Sequence, residues 1–140
     1  MIGNLVEIPK EHLIAEAQNM KYDNYRFVTA TCVDTGDGYL DVLYHFGKDY
    51  ELASYRVRVR KDEEIPSISG VYFCAMLVEN EMKELFGLKV KGLVVDYGGH
   101  LLLSEGAPEV PMAKQRVHSG GAPEPPVPEQ QIIIERKEEK

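Results

Sequence analysis

Apolar residues recur along this chain at two spacings, and the change from one to the other marks out its elements. Leu13, Ala17 and Met20 stand at i, i+4 and i+7, the stripe of an amphipathic helix. Ile8-Pro9 precedes them, and a proline at a helix start loses nothing because its N–H would be unpaired there anyway. This helix is expected to fade around Lys21-Tyr22-Asp23-Asn24. From Arg26 the period shortens. Arg26 to Asp34 is rich in Val, Thr and Phe. Tyr39 to Phe46 alternates Leu40, Val42, Tyr44 and Phe46 against Tyr39, Asp41, Leu43 and His45. Tyr50 to Arg60 sets Tyr55, Val57 and Val59 against Ser54, Arg56, Arg58 and Arg60. A period of two predicts half-buried strands. The separators Thr35-Gly36-Asp37-Gly38 and Gly47-Lys48-Asp49 are short enough to predict antiparallel neighbours.

Lys61-Asp62-Glu63-Glu64-Ile65-Pro66-Ser67 reads as a charged connector, with Ser67 or Ser69 able to cap a following helix. Cys74, Val78, Met82 and Leu85 then give a second helical stripe, ending at Phe86-Gly87, where glycine suits the left-handed cap. Val71 to Val78 also fits a buried strand; helix from about Ala75 is the preferred reading. Leu88 to Asp96 is expected to supply a short edge strand. The fold class is α+β: a small antiparallel three- to four-stranded sheet packed with an N-terminal helix and a central acidic helix. Residues 1–103 form that domain and 104–140 an extended Pro-rich tail, since six of the eight prolines follow Ser104.

Composition narrows the chemistry. A chain of 140 residues with a net charge of −7 suits one domain and disfavours binding to nucleic acid, whose phosphates attract basic surfaces. The longest apolar run, Val71 to Val78, is far short of the ~20 residues of a membrane-crossing helix. Met1-Ile2-Gly3-Asn4-Leu5 has no secretory pattern, so export is not expected. Cys32 and Cys74 lie far apart inside apolar runs and read as small, reduced, buried hydrophobes, with a redox pair the weaker alternative. His12, His45, His100 and His118 lack metal-ligand spacing. Gly36-Asp37-Gly38 and Gly98-Gly99-His100 make no phosphate-binding loop, and no Ser or Cys sits in a nucleophile elbow. In the tail, Ile132, Ile133 and Ile134 read either as a strand or anchor for a partner's sheet edge or groove, or as a chance apolar patch.

Two charged groupings remain. Glu79, Glu81 and Glu84 cluster on the second helix, where Glu81 and Glu84 share a face at i, i+3. They are open to three readings: a general acid and base, a solvated face, or pairing with basic groups on the adjoining strand or a partner. Arg56, Arg58 and Arg60 line one side of their strand and are open to those carboxylates, a partner or water.

The stretch Glu79-Asn80-Glu81-Met82-Lys83-Glu84-Leu85-Phe86-Gly87-Leu88 resembles the core motif of the 30 kDa subunit family of respiratory complex I and of membrane-bound energy-converting hydrogenases. That motif runs Glu-Arg-Glu, two residues, Asp, an apolar residue, Phe, Gly, Ile; here Asn80 replaces Arg and Glu84 replaces Asp. Val33-Asp34, Tyr44-His45, Arg56-Val57-Arg58-Val59 and Pro66-Ser67 extend the likeness in order. Gly92-Leu93-Val94-Val95-Asp96-Tyr97-Gly98-Gly99-His100 stands where complex I subunits continue into Gly-His-Pro-Asp-Leu-Arg-Arg, which tilts the likeness towards the equivalent subunit of a nickel–iron energy-converting hydrogenase.

The resemblance implies a non-catalytic subunit without a metal or flavin of its own. It would sit peripherally on the cytoplasmic side of the cell membrane, touching the membrane arm only indirectly. Its implied partners are a large catalytic hydrogenase-like subunit and a small iron–sulfur subunit, which would hold the nickel–iron centre and the iron–sulfur clusters. The implied contact residues are Glu79, Glu81, Glu84, Leu85, Phe86, Gly87, Arg56, Arg58, Arg60, Ile132, Ile133 and Ile134. A stand-alone adaptor and a small acid/base enzyme using Glu81 and Glu84 are the competing expectations.

Overall fold

A computed structural model of the chain describes residues 4–114, and the expectation for Ile132, Ile133 and Ile134 lies outside them. Within them the elements run β1 (Leu5–Glu7), a single 3-10 turn (Lys10–His12), α1 (Leu13–Tyr22), β2 (Arg26–Asp34), β3 (Tyr39–Lys48), β4 (Glu51–Arg60), β5 (Glu64–Pro66), α2 (Ala75–Phe86) and β6 (Lys89–Lys91). β2, β3 and β4 form the expected antiparallel meander within an α+β fold. β1 adds a fourth strand, parallel to β4, giving the order β1-β4-β3-β2. Three residues are too few to show a period, so this strand is invisible in the sequence. β5 and β6 pair separately and in parallel, so only three residues of the expected Leu88–Asp96 strand are regular.

Alternation fixes which side chains face inward. Register places Leu40 opposite Val59, Val42 opposite Val57, Tyr44 opposite Tyr55 and Phe46 opposite Ala53. This face carries the core: Leu40, Val42, Tyr44, Phe46 and Val57 are fully buried, and they cluster with Leu13 and Ala17 of α1 and Ala75 and Met82 of α2. Each such large apolar side chain contributes about 1.5–3 kcal/mol on burial. Phe46 is the hub, meeting Phe27 edge-on at 5.9 Å, Tyr55 at 6.0 Å and Tyr72 at 5.5 Å between ring centroids. Both helices therefore lie on one side. The opposite face carries exposed Leu5, Val33, Tyr39 and Leu52 beside the arginines of β4.

The β3–β4 turn lies two residues later than the glycine at 47 suggested. Lys48 pairs with Glu51, and Asp49 and Tyr50 turn the chain with φ of 53° and 84°. Positive φ at both central residues defines the turn whose twist matches a hairpin, normally built with glycine second. Gly47 is used otherwise: a Cβ there would come within 3.2 Å of the Val28 side chain at the bulge in β2. Tyr50 is wholly exposed and packs on nothing it would lose. Tyr50→Gly is therefore expected to stabilise the chain by about 1 kcal/mol, the lower end of the left-handed cost for a residue with a Cβ. A urea midpoint unchanged or lowered by this substitution would contradict that account.

One further expectation, the burial of both cysteines, needs correction. Cys32 is buried, and its burial, helped by the nearby Asp34 and Asp41 carboxylates, pushes the thiol up to about 12. Cys74, by contrast, is exposed, because it stands at the start of α2 on the helix's outward side. Packing also continues beyond residue 103. Lys114 donates its N–H to Asp34 at 2.6 Å, Lys61 reaches the Lys114 carbonyl at 2.9 Å, and Met112 N–H caps the Leu85 carbonyl at 2.9 Å.

Candidate functional site

The motif helix α2 is rotated away from its apolar pattern. Cys74, Val78, Met82 and Leu85 were the expected inner stripe, yet the buried residues are Ala75, Glu79, Asn80, Met82 and Glu84. Polar side chains turn inward because two irregular segments, 67–70 and 92–102, need partners for their main-chain groups. A buried amide or carbonyl without a partner costs more than burying a well-bonded side chain.

Three side chains supply those partners. Glu79 accepts the Ile68 N–H at 2.8 Å and is hydrogen-bonded to the Ser67 hydroxyl. Ser67 binds this carboxyl and Ser69 binds Ser67, so neither caps α2, whose start has no side-chain cap. Asn80 donates to the Met76 carbonyl at 2.7 Å and the Val95 carbonyl at 2.8 Å, and accepts the Tyr97 N–H at 3.1 Å. Glu84 accepts the N–H groups of Leu101 and Leu102, the second at 2.9 Å. On the surface, Lys83 binds both oxygens of Asp96 at 2.8–2.9 Å, and this ammonium, with the Gly98 N–H, holds the Asp96 carboxyl below its usual value. The 92–102 segment is thus laid along α2 from Asn80 to Glu84.

Among the predicted contact residues, this geometry separates inner from outer. Glu79 and Glu84 are enclosed and already bonded, so neither carboxylate is available at the surface. Glu81 alone of the three acids is exposed. Leu85, Phe86 and Gly87 are half-buried against the returning segment 108–114. Gly87 caps α2 with φ of 75°, and a Cβ there would meet the Val110 side chain at 3.0 Å, so glycine is required twice over. Pro108, Val110, Lys61 and Lys114 surround this end as a shallow cavity of about 580 Å³ that neither Glu81 nor Glu84 lines. Glu81 in solvent and Glu84 closed over by backbone do not form an acid/base pair on one cavity.

The arginines meet none of the three motif acids. Arg56 binds Asp41 at 2.8 Å and Arg58 reaches the same carboxylate at 3.4 Å while also bonding Asp37. Arg58 stacks over Tyr39 at 4.6 Å, and Arg60 pairs with Asp62 and Glu63 at 3.2 and 2.9 Å. The Thr35 hydroxyl first, then the Tyr39 N–H and Arg58, holds the Asp37 carboxyl below its usual value. Burial alone would raise Asp34, but Lys61 and the N–H groups of Gly36 and Lys114 hold it low. No group of three or more His, Cys, Asp or Glu gathers into a metal-binding arrangement among the described residues.

Missed by the sequence is the surface that this rotation creates. Phe73, just before α2, and Leu77, in its first turn, are 60% and 47% exposed. The 92–102 segment, carrying exposed Tyr97 and Leu102, lies on the adjoining flank, and Glu81 stands one turn beyond Leu77. Together these side chains form an exposed apolar group on the outer side of α2 and its flank.

An α+β sheet with both helices on one face, the second of them acidic and closed by a glycine cap, defines the fold of this chain. Residues 6–120 match the family described as respiratory-chain NADH dehydrogenase, 30 Kd subunit, and the chain belongs to that family. It is 38% identical over 85 residues to an NADH-quinone oxidoreductase subunit of Jannaschia sp. (strain CCS1), covering 54% of this chain and 41% of that protein. Over 66 residues it is 36% identical to the equally named subunit of Ruegeria pomeroyi (strain ATCC 700808 / DSM 15171 / DSS-3), covering 41% of this chain and 33% of that one. The matched stretches thus span about two fifths and one third of these relatives. The fold is shared with a chain in the structure of the membrane-bound sulfane sulfur reductase (MBS), an archaeal respiratory membrane complex. That likeness has a TM-score of 0.64 at 19% identity and covers 72% of this chain and 64% of the other.

Proposed function

We propose that this chain is a non-catalytic structural subunit in the hydrophilic arm of a membrane-bound, redox-driven ion-pumping complex. In this reading it holds a large catalytic subunit in fixed geometry against a small iron–sulfur subunit, and those partners carry the nickel–iron centre and the clusters. It sits on the cytoplasmic side and is peripheral to the membrane; no helix among the described residues is long and apolar enough to cross one. The observation that carries the proposal is the division of labour on α2. Glu79, Asn80 and Glu84 bind the chain's own loops, while Leu77 and Glu81, with Phe73 just before the helix, point outward and supply the face offered to a partner in this reading. Membership of the 30 kDa family supplies the class of assembly. The missing Gly-His-Pro segment after the motif favours the energy-converting hydrogenase branch over a quinone reductase.

Recovery of the tagged chain from native membranes tests this directly. The wild-type chain is expected to bring down a large metal-containing subunit and an iron–sulfur subunit. Leu77→Asp, at a half-exposed position, is expected to leave the fold intact but reduce that recovery by about tenfold or more, as removal of an apolar anchor at an interface does. Recovery of the wild-type chain alone would overturn the proposal; undiminished recovery with Leu77→Asp would remove this face from it.

A further inference from the structure

Glu79 is wholly enclosed, and it heads a continuous series of hydrogen bonds that ends on another segment of the chain. One carboxyl oxygen accepts the Ile68 N–H at 2.8 Å and the other meets the Ser67 hydroxyl. Ser67 Oγ accepts the Ser69 N–H at 3.0 Å and lies 2.6 Å from Ser69 Oγ. Ser69 Oγ accepts the Val94 N–H at 3.0 Å. Helix α2 is thereby tied through two hydroxyls to the loop after β6.

Counting protons along the series shows two self-consistent states. With Glu79 ionised, Ser67 donates to the carboxylate, Ser69 donates to Ser67, and Ser69 Oγ accepts only from Val94. Every group is then paired. With Glu79 protonated, the carboxyl donates to Ser67, Ser67 donates to Ser69, and both hydroxyls have reversed. Ser69 Oγ now accepts from Ser67 and Val94 together, and its own proton has no acceptor in the series. A hydroxyl that donates into a chain is the stronger acceptor. Ionisation therefore tightens the hold on Val94 and protonation loosens it. Glutamine at position 79 would fix one direction permanently; only a titrating group permits both.

We propose that Glu79, Ser67 and Ser69 form a proton-responsive tie that sets how firmly α2 holds the 92–97 loop, which bears exposed Val94 and Tyr97 on its outer side. The proposal does not depend on which partner, if any, that loop meets. Among the described residues, nothing charged competes with the proton at this carboxyl. Tyr44 of β3 and Cys32 of β2 face the same interior, and burial pushes both upward, so they stay neutral throughout. On α2, Lys83 is held by Asp96; near α1, Lys21 donates to the Val71 carbonyl. Glu64, Lys89 and Lys91 on β5 and β6 are exposed. Burial raises the Glu79 carboxyl above its usual value, against the pull of Ser67 and Ile68.

Bulk stability does not isolate this effect. The raised group contributes stability that is present below its unfolded pKa and lost as pH rises through the folded one. Asp34, Asp37 and Asp96, all lowered, act oppositely and lose their contribution as pH falls. A local readout is needed. In the full chain, the Glu79 side-chain carboxyl carbon and the Val94 amide proton are followed by NMR across the acid-to-neutral range. The Val94 amide is expected to move downfield with rising pH at the same midpoint as the Glu79 carbon, and Ser69→Ala is expected to abolish that movement while Glu79 still titrates. A Val94 amide that does not move at the Glu79 midpoint would overturn the proposal, as would movement unaltered in Ser69→Ala. Should the variant fail to fold, coincidence or divergence of the two wild-type midpoints still decides.

Discussion

Phe46→Ala is expected to lower the unfolding free energy by about 3–5 kcal/mol, the range for deleting a buried aromatic ring and leaving a cavity behind. The ring is fully enclosed and touches three other aromatics from β2, β4 and the segment before α2. No neighbour can collapse into the space. Phe27 is fixed beside the β2 bulge, Tyr55 is tethered by its hydroxyl to Glu16 at 3.0 Å, and Tyr72 is tethered to the Tyr25 carbonyl at 2.8 Å. Urea unfolding would register the loss as a lower midpoint. A change under about 1 kcal/mol, less than one buried methylene or two, would mean that the cluster repacks and that the tethers do not hold.

Asn80→Leu is expected to cost about 2–4 kcal/mol, through stranded partners rather than through volume. Leucine fills nearly the same space but leaves the Val95 carbonyl and the Tyr97 N–H without their bonds at a position only 1% exposed. The damage should be local as well as global, with hydrogen exchange accelerated first at residues 94–98. Asn80→Asp separates the two roles of the amide. It keeps an acceptor for the Tyr97 N–H, loses both donations, and buries a charge, so it should be no milder than leucine. Uniform acceleration across the sheet, with no excess at 94–98, would show that Asn80 does not act by holding this loop. The related motif usually has arginine here; in this chain a short amide closes the loop from within.

Where local pattern controls structure, the sequence was legible. The meander of β2, β3 and β4 follows from the alternation of Leu40, Val42, Tyr44 and Phe46, and the end of α2 from Gly87. The parallel strand at Leu5–Glu7 was not legible, because its existence depends on β4, about fifty residues away, offering a free edge. The inward turn of Glu79 and Glu84 was hidden for a related reason. A carboxylate that receives backbone N–H groups from distant loops looks in sequence like any solvated acid. The signal available was indirect: Phe73 and Leu77, both large and apolar, fall towards the side of the helix that a stripe through Cys74 and Met82 assigns to solvent. The arginine stripe was placed correctly on one side of β4, but its carboxylates, Asp41 and Asp37, come from the neighbouring strand and turn rather than from α2.

Asn80 and Glu84 grip the 92–102 loop only by its main chain, at Val95, Tyr97, Leu101 and Leu102. The helix thus dictates the loop's path from inside without engaging its side chains there; the positions that stay fixed are Asp96, held by Lys83 on the surface, and Gly92, Gly98 and Gly99, whose φ is positive. At its other exposed positions such a surface can change its chemical character, residue by residue, without losing its shape. A lineage could exchange the outward side chains there while Asn80 and Glu84 kept the frame.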